Sequence, residues 1–315
     1  TVCYCAQDVN ATLDGVVISG GNADGEVEPF YLLSERNRGG GVFNAGSITF
    51  VNSTIRDNSA EEGGGINCDR GAVTLINTTV ARNTSFYDGG GFHGHSGTLT
   101  AINTAFVGNV ARSGGAVLLK FGSATITGAT ITANSADRMG GVYYHASSTL
   151  VLNGSIVTSN VGGELGGYGE FGVQSANNLL GIDPRFVRAP GTNGPDDLGD
   201  LRLTAYSPAI DLGDSASLPA DSFDLDGDGD TSESIPIDSG GDDRFFGTAV
   251  DAGAFEYQAA PPAGRAAPSA VVTTLDDGFD LYDGEITLRE AVFYARRDAL
   301  GATVTFAPEL SGGTL

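Results

Sequence analysis

The sequence predicts an all-β protein: a right-handed parallel β-helix of about 25 residues per coil, with an irregular acidic C-terminal segment and one short amphipathic capping helix. Three observations predict it. A Gly-Gly step recurs along the first half of the chain, two series of mostly Asn residues recur with the same period, and apolar residues alternate with polar ones between these markers. Independent markers that share one period indicate stacked repeats rather than a conventional globular core.

The markers define the length of a coil. The second Gly of each step is spaced by 24, 26, 24, 26 and 26 residues, at Gly41, Gly65, Gly91, Gly115, Gly141 and Gly167. One Asn series comprises Asn58, Asn83, Asn109, Asn134 and Asn160, and the other comprises Asn52, Asn77, Asn103, Gly128 and Asn153. Gly permits a left-handed backbone at a corner, and stacked Asn side chains can hydrogen-bond from coil to coil. We therefore expect Gly and Asn corners that carry an amide ladder.

The segments between the corners alternate with period two, as strands do. Three columns are expected to face the core: Ile48, Val73, Leu99 and Ala124; Phe50, Leu75, Ala101, Ile126 and Val151; and Ile55, Val80, Phe106, Ile131 and Ile156. Thr residues occupy most of the outward columns between them. Strand pairing adds about 4.8 Å per coil, so residues 1–175 are expected to form roughly six or seven coils.

One insertion interrupts the repeat. The interval from Asn22 to Asn58 is 36 residues, which exceeds one coil by about 11. The excess lies in residues 26–37, which we interpret as a loop extruded from the rod. Its apolar centre, residues 29–33, is expected to pack on the flank of the rod, and a contact with a partner is the alternative.

The charge distribution limits the partners. The chain carries 39 Asp and Glu against 16 Lys and Arg, a net charge of −23, which disfavours binding to nucleic acid or an anionic membrane. No apolar run reaches the roughly 18 residues of a membrane span. Residues 176–257 hold 17 of the acids and only 4 Arg. This acidic segment needs its own explanation.

A candidate calcium loop lies in the acidic segment. The predicted ligands are the alternating carboxylates Asp224, Asp226, Asp228 and Asp230, followed by Glu233. With Gly229 at the sharp turn, they match the first half of an EF-hand loop. Ile235 stands where that loop has its bidentate Glu, so Glu233 or Asp238 would complete the shell. The alternative is a solvated acidic turn without a cation.

The tail of the chain resumes regular structure after a Pro/Ala linker at residues 258–270. Residues 271–315 predict a strand (Val271–Leu275), a helix and a second strand (Ala302–Phe306). Thr287 and Glu290 form a capping box at the start of the helix. An apolar stripe follows on one helix face, at Leu288, Ala291, Val292, Ala295 and Leu300.

These pieces resemble known bacterial families. The coils, with GGGVFN and AGSITFVNSTIRDNSA, resemble polymorphic outer-membrane-protein-like β-helix repeats. Residues 182–257, with IDPRF, LRLTAYSPAIDLG, DLDGDGD and VDAGAFEY, resemble the choice-of-anchor Q segment. Residues 271–300 are similar to the CSLREA domain, although Ile286 and Thr287 replace its Cys and Ser.

The resemblance implies a secreted or cell-surface protein of bacteria or archaea, often built in tandem, and implies no particular activity. In such proteins the CSLREA segment normally precedes a β-helix. Thr1 already lies in coil sequence, so we expect the true N-terminus of the gene product to lie elsewhere. We therefore expect residues 271–315 to complete the next unit, in a tandem chain or between identical subunits in a head-to-tail filament. The expected interface residues are Thr287, Leu288, Glu290, Ala291, Val292 and Ala295.

Two other function classes remain as alternatives to this structural or adhesive role. One is a polysaccharide-active lyase or epimerase or a carbohydrate-binding adhesin, whose candidate residues would line one edge of the rod: Asp69, Arg70, His95, Lys120 and His145. We expect no adjacent coils to pair a carboxylate cluster with a base there, and therefore a structural protein rather than an enzyme. The other is surface recognition by the Thr columns, although Thr is common in strands for its branched Cβ alone.

The cysteines fit the same repeat. Cys5 and Cys68 lie nine residues before Asp14 and Asn77, so they are expected to share a column two coils apart. That separation of about 10 Å exceeds the reach of a disulfide. Cys3 lies beside Cys5 on one strand, where a bridge would form only with strain.

Overall fold

The structure, a computed structural model, is a parallel β-solenoid, which confirms the predicted fold class. It describes residues 1–24, 37–168, 172–194, 196–260, 262–297 and 303–310. The predicted loop at residues 26–37 lies outside these residues except for Asn37. Strands dominate, and the described residues contain one α-helix, α1 (Leu288–Arg297).

Four parallel sheets, named A to D, form the walls of the solenoid. Sheet A contains β1 (Cys3–Cys5), β5 (Val42–Asn44), β9 (Ile66–Asp69), β13 (Phe92–His95), β17 (Val117–Lys120), β21 (Val142–His145) and β24 (Leu165–Tyr168). Sheet B contains β2 (Asn10–Asp14), β6 (Ser47–Val51), β10 (Ala72–Ile76), β14 (Thr98–Ile102), β18 (Ser123–Thr127), β22 (Thr149–Asn153) and β25 (Gly172–Ala176).

Two sheets complete each coil. Sheet C contains β3 (Val17–Ser19), β7 (Thr54–Arg56), β11 (Thr79–Ala81), β15 (Ala105–Val107), β19 (Thr130–Thr132), β23 (Ile156–Thr158) and β26 (Leu179–Leu180). Sheet D is shorter and contains β4 (Asn22–Ala23), β8 (Ser59–Glu62), β12 (Thr84–Asp88), β16 (Val110–Ser113) and β20 (Ser135–Arg138). These strands are rich in Val, Ile and Thr, whose branched Cβ suits a pleated surface.

The core is a narrow column of packed, inward-facing side chains along the rod. Ile48, Val73 and Leu99 pair in register on sheet B and are buried, as predicted. The predicted inward position of Val151 and Ile156 is wrong, because both face outward: Val151 is half-buried, and Ile156 is buried against the acidic segment. The turn before β22 has one more residue than the turn before β18, so Thr149 pairs with Ser123, 26 residues away. The core positions of this coil are Leu152 and Val157, and Gly154 rather than Asn153 continues the second Asn series.

A buried ladder of Asn side chains runs along the corner between sheets C and D, as predicted. The Nδ2 of Asn83 donates to the Oδ1 of Asn109 at 3.0 Å, and that of Asn109 donates to Asn134 at 2.9 Å. The Asn109 Oδ1 also accepts the backbone N–H of Asn83. Asn58 begins the described ladder, and Asn160 ends it by donating to the carboxylate of Glu164. Each amide therefore satisfies polar groups that the stacking of coils removes from water.

The cysteines lie where the repeat predicts them. Cys5 pairs with Asn44, and Asn44 pairs with Cys68, so the two share a column two coils apart. Cys3, Cys5 and Cys68 all have free thiols.

The acidic segment lies against the outside of the rod instead of forming a separate lobe. It contains β27 (Phe186–Arg188), which pairs antiparallel with β28 (Asp200–Leu203), and a 3₁₀ turn at Ser215–Ser217. Asn103 donates its Nδ2 to the Ile237 carbonyl at 3.0 Å, and the Thr130 Oγ1 accepts the Ala254 N–H at 3.0 Å. Leu201 packs beside Ala105 of sheet C.

Arg244 anchors this segment. Its side chain is fully buried and donates to the Glu256 carboxylate and to the carbonyls of Asp251 and Gly253. Burial raises the pKa of Asp251 to about 7 and that of Glu256 to about 8. Glu256 bonds the guanidinium directly, whereas the Asp251 carboxylate accepts the N–H groups of Asp211 and Tyr257. Retention of a proton by this pair of acids leaves little net charge in the buried cluster.

The absence of a side chain at Gly128 leaves the space that Arg244 occupies. The residues that follow the sheet B strands adopt left-handed conformations, and Asn52, Asn77 and Asn103 precede Gly128 in this column. A Cβ on Gly128 would lie 2.7 Å from Arg244 Nη2 and 2.8 Å from Asn103 Oδ1. The break in the Asn series therefore coincides with the point where the acidic segment docks.

The last described segment packs against the acidic segment of the same chain. Its two short strands, β29 (Val271–Val272) and β30 (Thr305–Phe306), precede and follow α1 in the chain and pair with each other in parallel. A 3₁₀ turn follows at Pro308–Leu310. The predicted capping box is present, because Thr287 N–H donates to Glu290 at 2.9 Å and Glu290 N–H donates to Thr287 Oγ1 at 3.3 Å. The linker also bonds the acidic segment, since Arg265 donates to the Ile210 carbonyl at 2.7 Å.

Substitution of Gly128 by Asn tests this docking point. Asn tolerates the left-handed backbone, so the change tests the space occupied by Arg244 rather than strain in the chain. We expect Gly128→Asn to displace Arg244 and to lower the free energy of unfolding, measured by urea titration, by about 3 kcal/mol.

Gly154→Asn is the matched control. Gly154 occupies the same column with φ of +53°, and a Cβ at this position would meet no heavy atom closer than 3.5 Å. We expect this change to cost less than about 1 kcal/mol. Equal losses in the two variants would contradict the assigned role of Gly128.

Candidate functional sites

The predicted calcium loop folds through its own carboxylates. Asp224 adopts a left-handed conformation with φ of +52°, and its Oδ1 accepts the Gly229 N–H at 2.9 Å. Asp226 and Asp228 each accept the N–H of the residue two positions on. These local bonds curl the segment so that alternate side chains approach one another.

Two groups of carboxylates converge in this loop. The ligand atoms of Asp224, Asp226 and Asp228 lie within 4.8 Å of one another, and so do those of Asp221, Asp226 and Glu233. Four of the five predicted ligands are therefore brought together, with Asp226 common to both groups. These clusters could bind a metal ion, and their all-oxygen chemistry suits a hard cation.

Two residues differ from the sequence-based expectation. Asp221 was missed because it lies before the alternating motif, yet it is fully buried and its carboxylate accepts the N–H groups of Phe223 and Leu225. Asp230 belongs to neither group, since its Oδ1 accepts the N–H and the hydroxyl of Ser232. That hydrogen bonding lowers the pKa of Asp230.

Glu233 faces the negative charge of the loop. Its Oε1 is buried and has no hydrogen-bond partner among the described residues. Desolvation, followed by the charges of Asp228 and Asp226, raises the pKa of Glu233. A cation would supply the missing partner. Asp238, the other candidate for completing the shell, instead accepts the N–H groups of Gly240, Asp242 and Glu256.

The predicted edge of titratable residues lies on the outward side of sheet A. Asp69, His95 and Lys120 occupy paired positions on adjacent strands. His145 continues the column, since its neighbour Tyr144 pairs with Leu119. Arg70 follows Asp69 in an exposed, left-handed position.

This edge brings one carboxylate beside a base. Asp69 Oδ1 lies 3.3 Å from His95 Nδ1 on the adjacent coil. Asp69 also lies 3.7 Å from the Arg38 guanidinium. Cross-coil contact was missed because the sequence gives the column but not the side-chain rotamers. The arrangement orients the imidazole of His95 and leaves it 36% exposed.

A buried pair lies next to this edge and was not predicted. Asn67 Nδ2 is 2.9 Å from His93 Nδ1, and both residues are 1% exposed. Burial lowers the pKa of His93 to about 3, so its ring is neutral at pH 7. Within the part of the chain that the structure describes, neither Asn67 Oδ1 nor His93 Nε2 has a hydrogen-bond partner.

The predicted interface residues differ in their burial and contacts. Thr287, Glu290 and Ala291 are buried within the chain, so packing inside the molecule already uses them. Leu288 and Val292 line a groove of about 820 Å³ between α1 and the last coil. Ala295 is half-buried.

Comparisons with family models, with curated proteins and with solved structures find no match. Among the described residues, the structure contains no helix with the length and hydrophobicity needed to cross a bilayer.

A calcium titration of two charge-matched variants tests the cation site. Asp226 belongs to both carboxylate groups, so we expect Asp226→Asn to weaken calcium affinity, measured by isothermal titration calorimetry, by about tenfold or more. Asp230→Asn removes the same charge outside both groups and is expected to change affinity by less than about threefold. Equal effects would show that only general charge attracts the ion.

Proposed function

We propose that the chain is an extracellular structural or adhesive unit of a bacterial or archaeal cell surface, in which β-solenoid coils stack head to tail. The observation that carries the proposal is the unbroken parallel register of sheets A, B and C, each with seven strands. A stack of this kind is extended by adding coils, since each coil contacts only its neighbours.

The two ends of the rod have the features of stacking surfaces. Strands β1, β2 and β3 each pair on one side only within the described residues, as do β24, β25 and β26 at the other end. The first coil exposes Tyr4 and leaves the inward-facing Leu13 half-buried. A further coil, supplied by the preceding chain or by a second copy, would pair these strand edges and cover Leu13.

Residues 271–315 have a place in the same scheme. Strands β29 and β30, which precede and follow α1 in the chain, pair in parallel, as strands of successive coils do. Val271 and Phe306 remain exposed. Together with the resemblance to the CSLREA domain, this supports a role in which the segment begins the next β-helix. The packing of α1 on the acidic segment would then fix the angle between successive units.

Calcium has a structural role in this proposal. The acidic loop, residues 221–233, precedes Arg244 in the same segment. Its five neighbouring carboxylates repel one another. A calcium ion bound there would neutralise the repulsion and hold the acidic segment on the rod.

A polysaccharide-active enzyme is the second candidate. The specific observation in its favour is the Asp69–His95 contact with Lys120 on the next strand. A carboxylate-oriented imidazole is a common general base. Release of unsaturated sugar products from a polyuronate would support the enzyme.

Assembly of purified chains tests the head-to-tail proposal. The wild type is expected to form rods longer than one unit with rising concentration, observed by negative-stain electron microscopy and light scattering. Leu13→Lys places a charge in the end face and is expected to abolish assembly, because burial of an unpaired ammonium is strongly unfavourable.

The control is Thr12→Lys, which adds the same charge at an exposed neighbouring position that faces away from the core. We expect this variant to assemble as the wild type does. Circular dichroism verifies that both variants retain the solenoid. A wild type that stays monomeric at all concentrations, or assembly that both variants lose equally, would contradict stacking between separate copies.

A further inference from the structure

The His and Lys side chains of this protein are concentrated on one face. The chain has three His and a single Lys, and all four lie on β13, β17 and β21 of sheet A, at His93, His95, Lys120 and His145. The three strands are neighbours in the sheet. Every imidazole and the one ammonium side chain are therefore gathered within three coils.

Sheet B shows what an outward column without titratable groups looks like. One of its outward columns reads Thr12, Thr49, Thr74, Thr100 and Thr125, and Val151 and Gln174 continue it. Thr suits an exposed strand position without any further role. The outward positions of sheet A depart from this pattern in every coil from β9 to β21, so strand propensity does not explain them.

Aromatic rings accompany the bases. Phe121 is 55% exposed in a left-handed conformation with φ of +61°, which is unusual for a bulky side chain. Its ring lies edge-on to His95 at 6.3 Å between centroids. Tyr143 contacts His145 in the same manner at 5.3 Å, and Tyr168, paired with His145, is 75% exposed.

A bulge adds two further rings beside this face. The register of β12 with β8 shifts between Ser85 and Asp88, where Phe86 and Tyr87 stand opposite the single residue Glu61. The two rings contact edge to face at 4.7 Å, and Phe86 is 69% exposed. Bulges of this kind redirect side chains next to binding sites.

The local charge is opposite to that of the whole molecule. The strands of sheet A from β9 to β21 and the turns that follow them carry Arg70 and Lys120 against Asp69, a net charge of +1 in a chain of net −23. Arg70 and Lys120 are the fixed cations on the face itself. An anionic ligand is therefore attracted to this stretch and repelled by the rest of the surface.

We propose that this face, formed by Asp69, Arg70, His95, Lys120, Phe121 and His145, binds an anionic polysaccharide built of uronic acid units. Lys120 and Arg70 pair with sugar carboxylates, Phe121 packs against the apolar face of a sugar ring, and the Asp69–His95 pair bonds hydroxyl groups. Successive coils repeat these positions about every 4.8 Å, so the polymer runs along the rod. The buried Asn67–His93 pair lies beside the same face.

The face favours a sugar polymer over a nucleic acid. Nucleic-acid affinity grows with the number of phosphates that Lys and Arg neutralise. Arg38 beside this face is already paired with Glu62 at 3.0 Å, which leaves Arg70 and Lys120 among the described cations of the face. The remaining net charge of the molecule opposes a dense polyanion. A uronate polymer has a lower charge density and offers the hydroxyl groups that Asp69 and His95 can bond.

Calorimetric titration with a polygalacturonate oligomer tests the proposal on the full chain. Lys120→Ala is expected to weaken binding about tenfold or more, as loss of a charge-assisted hydrogen bond implies. Phe121→Ala is expected to weaken it about fivefold. Methyl esterification of the oligomer is expected to reduce affinity by as much as Lys120→Ala does.

Matched controls lie in the acidic segment. Phe245 is 50% exposed, close to the 55% of Phe121, and Arg202 is an exposed cation of the acidic segment. Arg202→Ala and Phe245→Ala are expected to bind within about twofold of the wild type. No binding by the wild type, equal losses in the controls, or tighter binding of a single-stranded oligonucleotide would overturn the proposal. The inference does not rest on head-to-tail stacking, because binding by the non-assembling Leu13→Lys variant is measured in the same way.

Discussion

The structure depends on one constraint: a stacked corner must satisfy its buried polar groups with the corners above and below it. The Asn column meets this constraint, since each amide bonds the side chain of the next coil and accepts a backbone N–H of the coil before. A shift of register at this corner would move an Asn out of the column and leave several buried groups unpaired, at about 1–3 kcal/mol each. The column therefore fixes the strand register at this corner, while turns elsewhere absorb an extra residue, as the turn before β22 does.

The repeat made the fold predictable, because period, corner residues and strand alternation all agree. The Asn ladder and the Cys5–Cys68 column followed directly from it, whereas the capping box of α1 followed from the local spacing of Thr287 and Glu290. The one failure in the core arose where the turn before β22 gained a residue. A shift of one residue exchanges inward and outward side chains in a strand, and only pairing identifies Leu152 and Val157 as the core residues.

The sites were predictable only where their residues are close in sequence. The alternating Asp residues of the cation loop form a local motif, whereas Asp221 joins it through the fold. The docking of Arg244 over Gly128 and the contact between Asp69 and His95 bring together residues that are separated by one coil or more. The total charge of the chain was uninformative for the same reason, because a net charge of −23 says nothing of the Arg70 and Lys120 side chains that the fold brings together on sheet A.

The most direct test of this account is hydrogen exchange of the Asn side-chain amides, followed by nuclear magnetic resonance. If the ladder unites the coils, the Nδ2 protons of Asn83, Asn109 and Asn134 exchange as slowly as the backbone amides of the surrounding sheets, while those of the exposed Asn52 exchange rapidly. Rapid exchange of the three buried side chains, at a rate equal to that of Asn52, would contradict it.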